Sequence, residues 1–235
     1  MAGHSHWAQV KHKKANVDKK KSQIIGKLVN AILVSARENP NPETNPRLRS
    51  AIEKAKEFGV PQDIIDKNIK KASGLLEGSK LEEVIIEGYG PSGVALIVKS
   101  VTDNKNRTIG EIKNIFNRLG GKVVEPGSVL WLFKESGVIK IKKEDFDEKI
   151  IDSLENLEDF REKDNEVELY FPVNFLYNAK RKLEEKGINI LSTEIELIPN
   201  NYVNINNEEK EKVLKLIDEL LDHPDVSEVF SNTID

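Results

Sequence analysis

The sequence predicts an α+β protein of several domains, and three observations carry this prediction. Apolar residues recur at helical spacing through residues 22–72, and Val- and Ile-rich segments alternate with helical patterns from residue 84 onward. The composition changes character at Gly74–Lys80, between these two regions. At 235 residues the chain can bury a substantial core. We therefore expect an N-terminal three-helix bundle followed by two α+β domains.

The bundle is predicted from helix start and stop signals. Ser22 suits the N-cap of the first helix, and the Asn- and Pro-rich segment 39–42 stops it. Asn45–Pro46 combines an N-cap residue with a proline at the first helical position, and Gly59 ends that second helix. The three predicted helices cover residues 22–38, 45–58 and 61–73. Their outer faces are expected to carry Lys27, Arg47, Arg49, Lys54, Lys56, Lys67, Lys70 and Lys71.

The middle of the chain and its tail are expected to build one sheet together. Strands are predicted at 84–87, 94–101 and 129–133, with a helix at 108–119 between the last two. After Pro199 the pattern predicts a strand at 202–205, a helix at 208–221 and a strand at 226–230. We expect this tail to complete the sheet that begins at Val84.

The segment between these two parts follows the order βαββαβ, which is the ferredoxin-like arrangement. Its strands are predicted at 138–142, 157–162, 166–171 and 188–198, and its helices at 144–154 and 173–186. The expected domains are a basic arm (1–21), a helical bundle (22–78), a discontinuous central domain (79–135 with 199–235) and an inserted ferredoxin-like domain (136–198). The alternative is three units strictly in line along the chain.

Charge is distributed unevenly along the chain. Residues 1–80 hold 16 Lys and Arg against 8 Asp and Glu, a net charge of +8, whereas the remainder carries 20 against 32, a net charge of −12. Clustered Lys neutralises phosphates and releases their counterions, so the basic part is expected to bind a polyanion. A solvated tail without a function is the alternative. The residues predicted to contact nucleic acid are Lys11, Lys13, Lys14, Lys19, Lys20, Lys21, Arg47 and Arg49, with His12 and Trp7 as assisting contacts.

A smaller anion site is predicted where segment 102–108 enters a helix. Arg107 would lie at the positive end of that helix, where anions bind readily. Plain capping by Asn106 or Thr108 is an equal alternative. The candidate anion-site residues are Asn104, Asn106 and Arg107.

Several classes of function are not expected. No residue is a cysteine, so disulfides and thiolate chemistry are excluded, and no run of 18 apolar residues predicts a membrane span. His4, His6 and His12 match no usual metal-ligand spacing. The G-x-G-x-x-G pattern at Gly88–Gly93 precedes a predicted strand, which favours a turn over a nucleotide site. With no catalytic motif visible, we expect no enzyme activity, no cofactor and no small-molecule substrate.

Several segments together resemble a known family. They are Met-Ala-Gly-His-Ser-His-Trp at the start, Lys11-His-Lys-Lys14, Asn45-Pro-Arg-Leu-Arg49, Ala51-Ile-Glu-Lys-Ala-Lys56, Glu87-Gly-Tyr-Gly-Pro91, Thr102-Asp-Asn-Lys-Asn-Arg-Thr108, Gly127-Ser-Val-Leu-Trp131 and Lys212-Val-Leu-Lys-Leu-Ile217. This set resembles the YebC family of bacterial regulators, which also includes the mitochondrial translational activator of cytochrome oxidase. Residues 138–198 match this family least.

The resemblance implies a three-domain, non-enzymatic cytoplasmic protein. It implies either a DNA-binding transcriptional regulator, or a ribosome-associated factor that binds ribosomal RNA and helps translation past stretches such as consecutive prolines. A third hypothesis is a protein-interaction module whose acidic domains bind a basic protein, which would make the arm dispensable.

Overall fold

A computed structural model of the chain describes residues 17–73, 81–147, 150, 154–163 and 165–233, with side chains from Ser22 onward. Within these residues, six α-helices and two four-stranded antiparallel sheets confirm the predicted α+β class. The chain divides into two compact units, one formed by Glu135–Leu197 and the other by the residues that precede and follow that segment. Among the described helices, none combines the length and the apolar character needed to cross a membrane.

The elements are numbered in chain order. The helices are α1 (Val17–Glu38), α2 (Pro46–Glu57), α3 (Gln62–Ala72), α4 (Lys105–Arg118), α5 (Leu176–Glu185) and α6 (Asn207–Asp222). The strands are β1 (Glu82–Tyr89), β2 (Ala95–Thr102), β3 (Lys122–Val123), β4 (Phe133–Lys142), β5 (Asp159–Glu162), β6 (Glu166–Phe171), β7 (Ile190–Pro199) and β8 (Val226–Ser231).

Local capping signals place α2 and α3 where the sequence predicts them. The side-chain oxygen of Asn45 accepts a hydrogen bond from the Leu48 amide at 3.0 Å, and Pro46 is the first residue of α2. Gly59 takes a positive φ of 78° directly after that helix. The prediction for α1 was wrong at its start, because the helix begins at Val17 rather than at Ser22. No Gly or Pro interrupts residues 17–21, so part of the predicted arm is helical.

The larger unit has a sheet in the order β3-β1-β2-β8, with every neighbouring pair antiparallel. The tail strand β8 therefore pairs with β2, which lies more than a hundred residues earlier in the chain. One continuous apolar core joins this sheet to the helices of the same unit. It includes Ile32 of α1, Ile86 of β1, Phe116 of α4 and Leu216 of α6, all buried.

Glycines allow the backbone to pack closely at one edge of this sheet. A Cβ at Gly88 would lie 2.6 Å from Cε1 of Phe116, and one at Gly121 would lie 2.7 Å from the carbonyl oxygen of Tyr89. Segment 91–93 forms a 3₁₀ turn, and strand β2 follows it. The G-x-G-x-x-G pattern therefore connects two strands, as predicted, and lacks the helix that a dinucleotide site requires.

The smaller unit has a sheet in the order β5-β6-β4-β7. Counted within this unit, the strands lie in the order 2-3-1-4, which is the ferredoxin-like order that the sequence predicts. Helix α5 packs Leu176 and Leu183 onto Ile139 and Leu169 of the sheet. The helix predicted at 144–154 was wrong at its start, because Lys143–Asp145 form a 3₁₀ turn and Phe146 is extended. Ile150 is helical, and residues 148–149 and 151–153 lie outside the described residues.

Two predicted strands were wrong. Residues 130–132 form a 3₁₀ turn, and β4 begins only at Phe133 and continues unbroken to Lys142. The amides of residues 127, 129 and 130 bind a side chain instead of a neighbouring strand. At 202–205 a single bridge between Val203 and Thr233 replaces the predicted strand. Strand β3 is short and was not predicted.

A buried charged network lies within the smaller unit. Glu168 is fully buried, and its carboxylate contacts Nζ of Lys140 at 3.3 Å, Nζ of Lys163 at 2.6 Å and the hydroxyl of Tyr170 at 2.7 Å. Burial alone would raise the pKa of Glu168, but the Lys140 charge and the hydrogen bonds from Lys163 and Tyr170 outweigh burial and lower it.

Glu168→Gln should lower the free energy of unfolding by about 3 kcal/mol, because Lys140 and Lys163 both lose the charge of a fully buried carboxylate. Glu144→Gln is the matched control, since Glu144 belongs to an exposed ion pair with Lys142, and it should change stability by less than about 0.5 kcal/mol. Urea unfolding of both variants measures the difference. Equal stabilities would show that the buried network adds nothing to the fold.

Candidate nucleic-acid interface

The structure places only some of the predicted contact residues. Lys19, Lys20 and Lys21 lie in the first turns of α1, where the backbone alone is described. Five further predicted contacts lie outside the described residues: Trp7, Lys11, His12, Lys13 and Lys14. The backbone of Lys19, Lys20 and Lys21 is therefore part of a helix.

The two predicted arginines of α2 have different surroundings. Arg47 is exposed one residue after the helix begins. Arg49 is half-buried, and its guanidinium donates to the carbonyl oxygens of Pro42 at 2.9 Å and Glu43 at 2.5 Å. These bonds hold the loop between α1 and α2, so Arg49 has a structural role that the sequence did not indicate. Of the two arginines, Arg47 is the one with an exposed side chain.

Two lysines expected on the outer faces were placed wrongly, because both make internal contacts. Lys27 donates to the carbonyl oxygen of Leu221 at 2.5 Å. Burial lowers the pKa of Lys27 to about 8, with the charges of Asp222 and Asp225 partly opposing this. Lys54 is 16% exposed and pairs with Glu228 at 3.3 Å. Three of the remaining lysines are exposed on α2 and α3, as predicted: Lys56, Lys67 and Lys70.

The predicted anion site at the start of α4 is already occupied by protein groups. Asn104, rather than Asn106 or Thr108, is the N-cap, and its side-chain oxygen accepts from the Arg107 amide at 3.1 Å. The Arg107 guanidinium lies 2.9 Å from Asp225 and 3.1 Å from Asp103. The hydrogen bond and charge of Asp225 raise the pKa of Arg107. An added anion would have to compete with these carboxylates, and Asn106 is exposed beside them.

Three side chains near this helix could in principle hold a metal ion, because donor atoms of Glu111, His223 and Asp225 lie within 4.8 Å of one another. Their contacts within the protein already use these atoms. His223 contacts Glu111 through Nε2 at 2.9 Å, and its Nδ1 faces the Asp225 amide at 3.1 Å. Asp225 also accepts from Thr108 at 2.6 Å and from the Arg107 cation. The group is therefore best explained as a link between α4 and the α6–β8 connection.

The role of Glu87 was not predicted from the sequence. This residue of β1 is 4% exposed, and its carboxylate accepts hydrogen bonds from three backbone amides: Gly127 at 2.5 Å, Val129 at 2.6 Å and Leu130 at 2.8 Å. Burial raises the pKa of Glu87, but the three amide hydrogen bonds outweigh burial and lower it. The charged Glu87 side chain thus holds the loop 124–132 in place through three backbone amides.

This loop presents Trp131 to solvent. Trp131 is 68% exposed, which is the largest exposure among the described large apolar residues. Its Nε1 donates to the carbonyl oxygen of Ser128 at 3.0 Å. Asn200 fixes the following backbone, with its side-chain amide donating to Trp131 at 3.1 Å and its backbone amide donating to Leu132 at 2.8 Å. The exposed position of Trp131 was not predicted, because residues 129–133 were expected to form a strand.

Family models match nearly the whole chain. The model described as the TACO1/YebC protein N-terminal domain matches residues 5–75, and the one described as the TACO1/YebC second and third domain matches residues 81–233. A probable transcriptional regulatory protein of Dictyoglomus thermophilum is 45% identical over 237 residues, covering 99% of this chain and 95% of that protein. One from Thermotoga petrophila is 42% identical over 237 residues, covering 99% of this chain and 93% of that protein.

A solved structure supports the same relationship. The crystal structure of a conserved hypothetical protein from Aquifex aeolicus matches with a TM-score of 0.82 and 40% sequence identity, covering 98% of this chain and 97% of that chain. Fold, sequence and family models agree over nearly the full length. The resemblance predicted from the sequence segments is therefore confirmed, and this chain belongs to the TACO1/YebC family.

Proposed function

We propose that this protein is a non-enzymatic, cytoplasmic regulator of gene expression that binds nucleic acid, with DNA as the first candidate. The observation that carries the proposal is the charge reversal between residues 1–80, with a net charge of +8, and the remainder, with −12. Relatives that are 42–45% identical over their length are named probable transcriptional regulatory proteins, which supports a role in regulation.

The contact surface in this proposal combines the lysines at the start of the chain with exposed cations of α2 and α3. Lysine and arginine on a surface bind phosphates without reading the base sequence, so binding should depend strongly on salt and weakly on sequence. The acidic remainder repels a phosphate backbone and so orients the protein on it. The phosphate contacts in this proposal are Lys11, Lys13, Lys14, Lys19, Lys20, Lys21, Arg47, Lys56, Lys67 and Lys70, with Trp7 and His12 beside them.

Arg49 and the start of α4 contribute less to nucleic-acid binding in this proposal. Arg49 would act mainly by holding the loop that precedes Arg47, because its guanidinium binds two carbonyl oxygens of that loop. At α4, Arg107 faces two carboxylates, so an anion there would bind weakly.

Ribosomal RNA is the second candidate, with the protein acting as a ribosome-associated translation factor that relieves stalling. The exposed indole of Trp131 is the observation that favours it, because proteins that bind unpaired RNA commonly stack bases on exposed aromatic rings. A duplex with all its bases paired offers no such partner.

Crosslinking in cells, followed by sequencing of the attached nucleic acid, tests both candidates. Enrichment of promoter DNA over an untagged control strain is the result expected for the DNA regulator. Enrichment of ribosomal RNA, with the protein in ribosomal fractions, is expected for the translation factor. Recovery of neither DNA nor RNA above the control would contradict both, and would favour a protein-interaction module.

A further inference from the structure

We propose that Trp131 is a stacking platform for one unpaired base of a single-stranded nucleic acid. This inference rests on the proposed function and names a second contact in addition to the basic N-terminal region. It predicts that the protein discriminates single-stranded from fully paired nucleic acid through one aromatic residue of the loop 124–132.

The first support is that the ring is held in place before any partner arrives. Glu87 binds three amides of the loop, and Asn200 binds the backbone at Trp131 and Leu132. Val129 at the base of the loop is fully buried. Because the loop is already ordered by these contacts, the protein would lose little conformational entropy when a base binds to the ring.

The second support is that the indole N–H is already hydrogen-bonded while the ring remains exposed. Its only hydrogen-bond donor already binds the Ser128 carbonyl oxygen, yet the side chain remains 68% exposed. The interaction still available is therefore contact with the flat apolar surface of the ring. Stacking of a base uses such a surface and tolerates any base identity.

The third support distinguishes a base from an apolar protein surface. Glu125, Gly127 and Ser128 of the same loop are exposed, the flanking Leu130 and Leu132 are only partly exposed, and Ile85 is the other exposed large apolar residue in the described part of this unit. A protein-docking surface would require a contiguous apolar patch. Residues 122–135 carry Lys122 and Lys134 against Glu125 and Glu135, so this segment is neutral in an otherwise acidic part of the chain. An exposed ring in a segment without excess negative charge suits a base attached to a phosphate.

Tryptophan fluorescence tests the contact directly. The chain has two tryptophans, so Trp7→Phe leaves Trp131 as the single emitter and keeps an aromatic ring at position 7. Titration with a short single-stranded uridine or adenosine oligonucleotide, as RNA and as DNA, should quench Trp131. An abasic oligomer of the same length and charge, and a blunt duplex, should leave its emission unchanged. Equal quenching by the abasic oligomer would overturn the proposal.

Affinity measurements separate this inference from the proposed function. Trp131→Ala should weaken binding of the single strand about 10-fold or more, while Trp131→Phe should restore most of it. Binding of the abasic oligomer should be the same in all three proteins, which controls for folding. If Trp131→Ala binds the single strand as tightly as the parent, the stacking role is wrong, although the proposed function stands. If the parent binds no nucleic acid at all, the proposed function itself fails.

Discussion

Glu87→Gln should lower the free energy of unfolding by about 4 kcal/mol and release the loop that carries Trp131. The carboxylate accepts from the amides of Gly127, Val129 and Leu130 while buried. A glutamine has one oxygen in place of two, and its NH₂ group would face an amide donor. At least one buried N–H would then lack an acceptor, and the charge that strengthens all three hydrogen bonds would be gone.

Urea unfolding measures this effect, and Glu83→Gln is the matched control. Glu83 lies on the same strand but is exposed, so its substitution should change stability by less than about 0.5 kcal/mol. In the Trp7→Phe background, Glu87→Gln should also make Trp131 more mobile, seen as lower fluorescence anisotropy. Comparable stabilities of the two variants, with unchanged anisotropy, would contradict the role assigned to Glu87.

The pH dependence of stability gives the same residue a second signature. The folded-state pKa of Glu87 lies below the ordinary value of 4.5 because the amide hydrogen bonds outweigh burial. Its stabilising contribution is therefore present above the unfolded-state pKa and is lost as the pH falls through the folded-state pKa. Glu87→Gln should remove part of the acid destabilisation that the parent shows below about pH 4.5.

Elements that depend on local signals were predictable from the sequence. Helix α2 begins at Asn45–Pro46 because capping and proline geometry act within three residues of the chain. Strands β5, β6 and β7 and the second half of β4 follow from short Val-, Ile- and Phe-containing segments separated by turn residues or by the helical pattern of α5. Each of these signals is contained in a few neighbouring residues, so no knowledge of the tertiary structure was needed to interpret it.

Features that depend on distant partners were not predictable. Residues 129–133 have strand-like composition, but a carboxylate about 40 residues earlier in the chain binds the amides that a strand would have used. Lys27 and Lys54 lie at exposed positions of a helix pattern, yet each finds a partner on the C-terminal part of the chain. Trp131 became visible as a candidate contact only when its loop and its exposure were known.

The candidate interface was predictable as a charge pattern and only in part as a geometry. The excess of lysine at the start of the chain is evident from composition alone. That Lys19, Lys20 and Lys21 belong to a helix was missed, because Ser22 matched an N-cap although nothing before it breaks a helix. Arg49 also matched the charge pattern, but its bonds to the preceding loop depend on how that loop folds.

The second prediction with a large expected effect concerns nucleic-acid binding by the variant Lys19→Ala/Lys20→Ala/Lys21→Ala. These residues lie in α1, and alanine favours a helix, so the fold should persist. Three fewer phosphate contacts should make the slope of log affinity against log salt concentration less steep by about 2 to 3. The matched control replaces three exposed lysines outside this region, Lys113, Lys186 and Lys215, with alanine.

The salt titration of these three proteins with the same DNA and RNA probes is therefore the most direct test. We expect the parent and the control variant to share one steep slope, and the Lys19–Lys21 variant to bind more weakly at low salt with a clearly flatter slope. If all three proteins show the same slope and the same affinity for both probes, the basic N-terminal region does not bind the phosphate backbone.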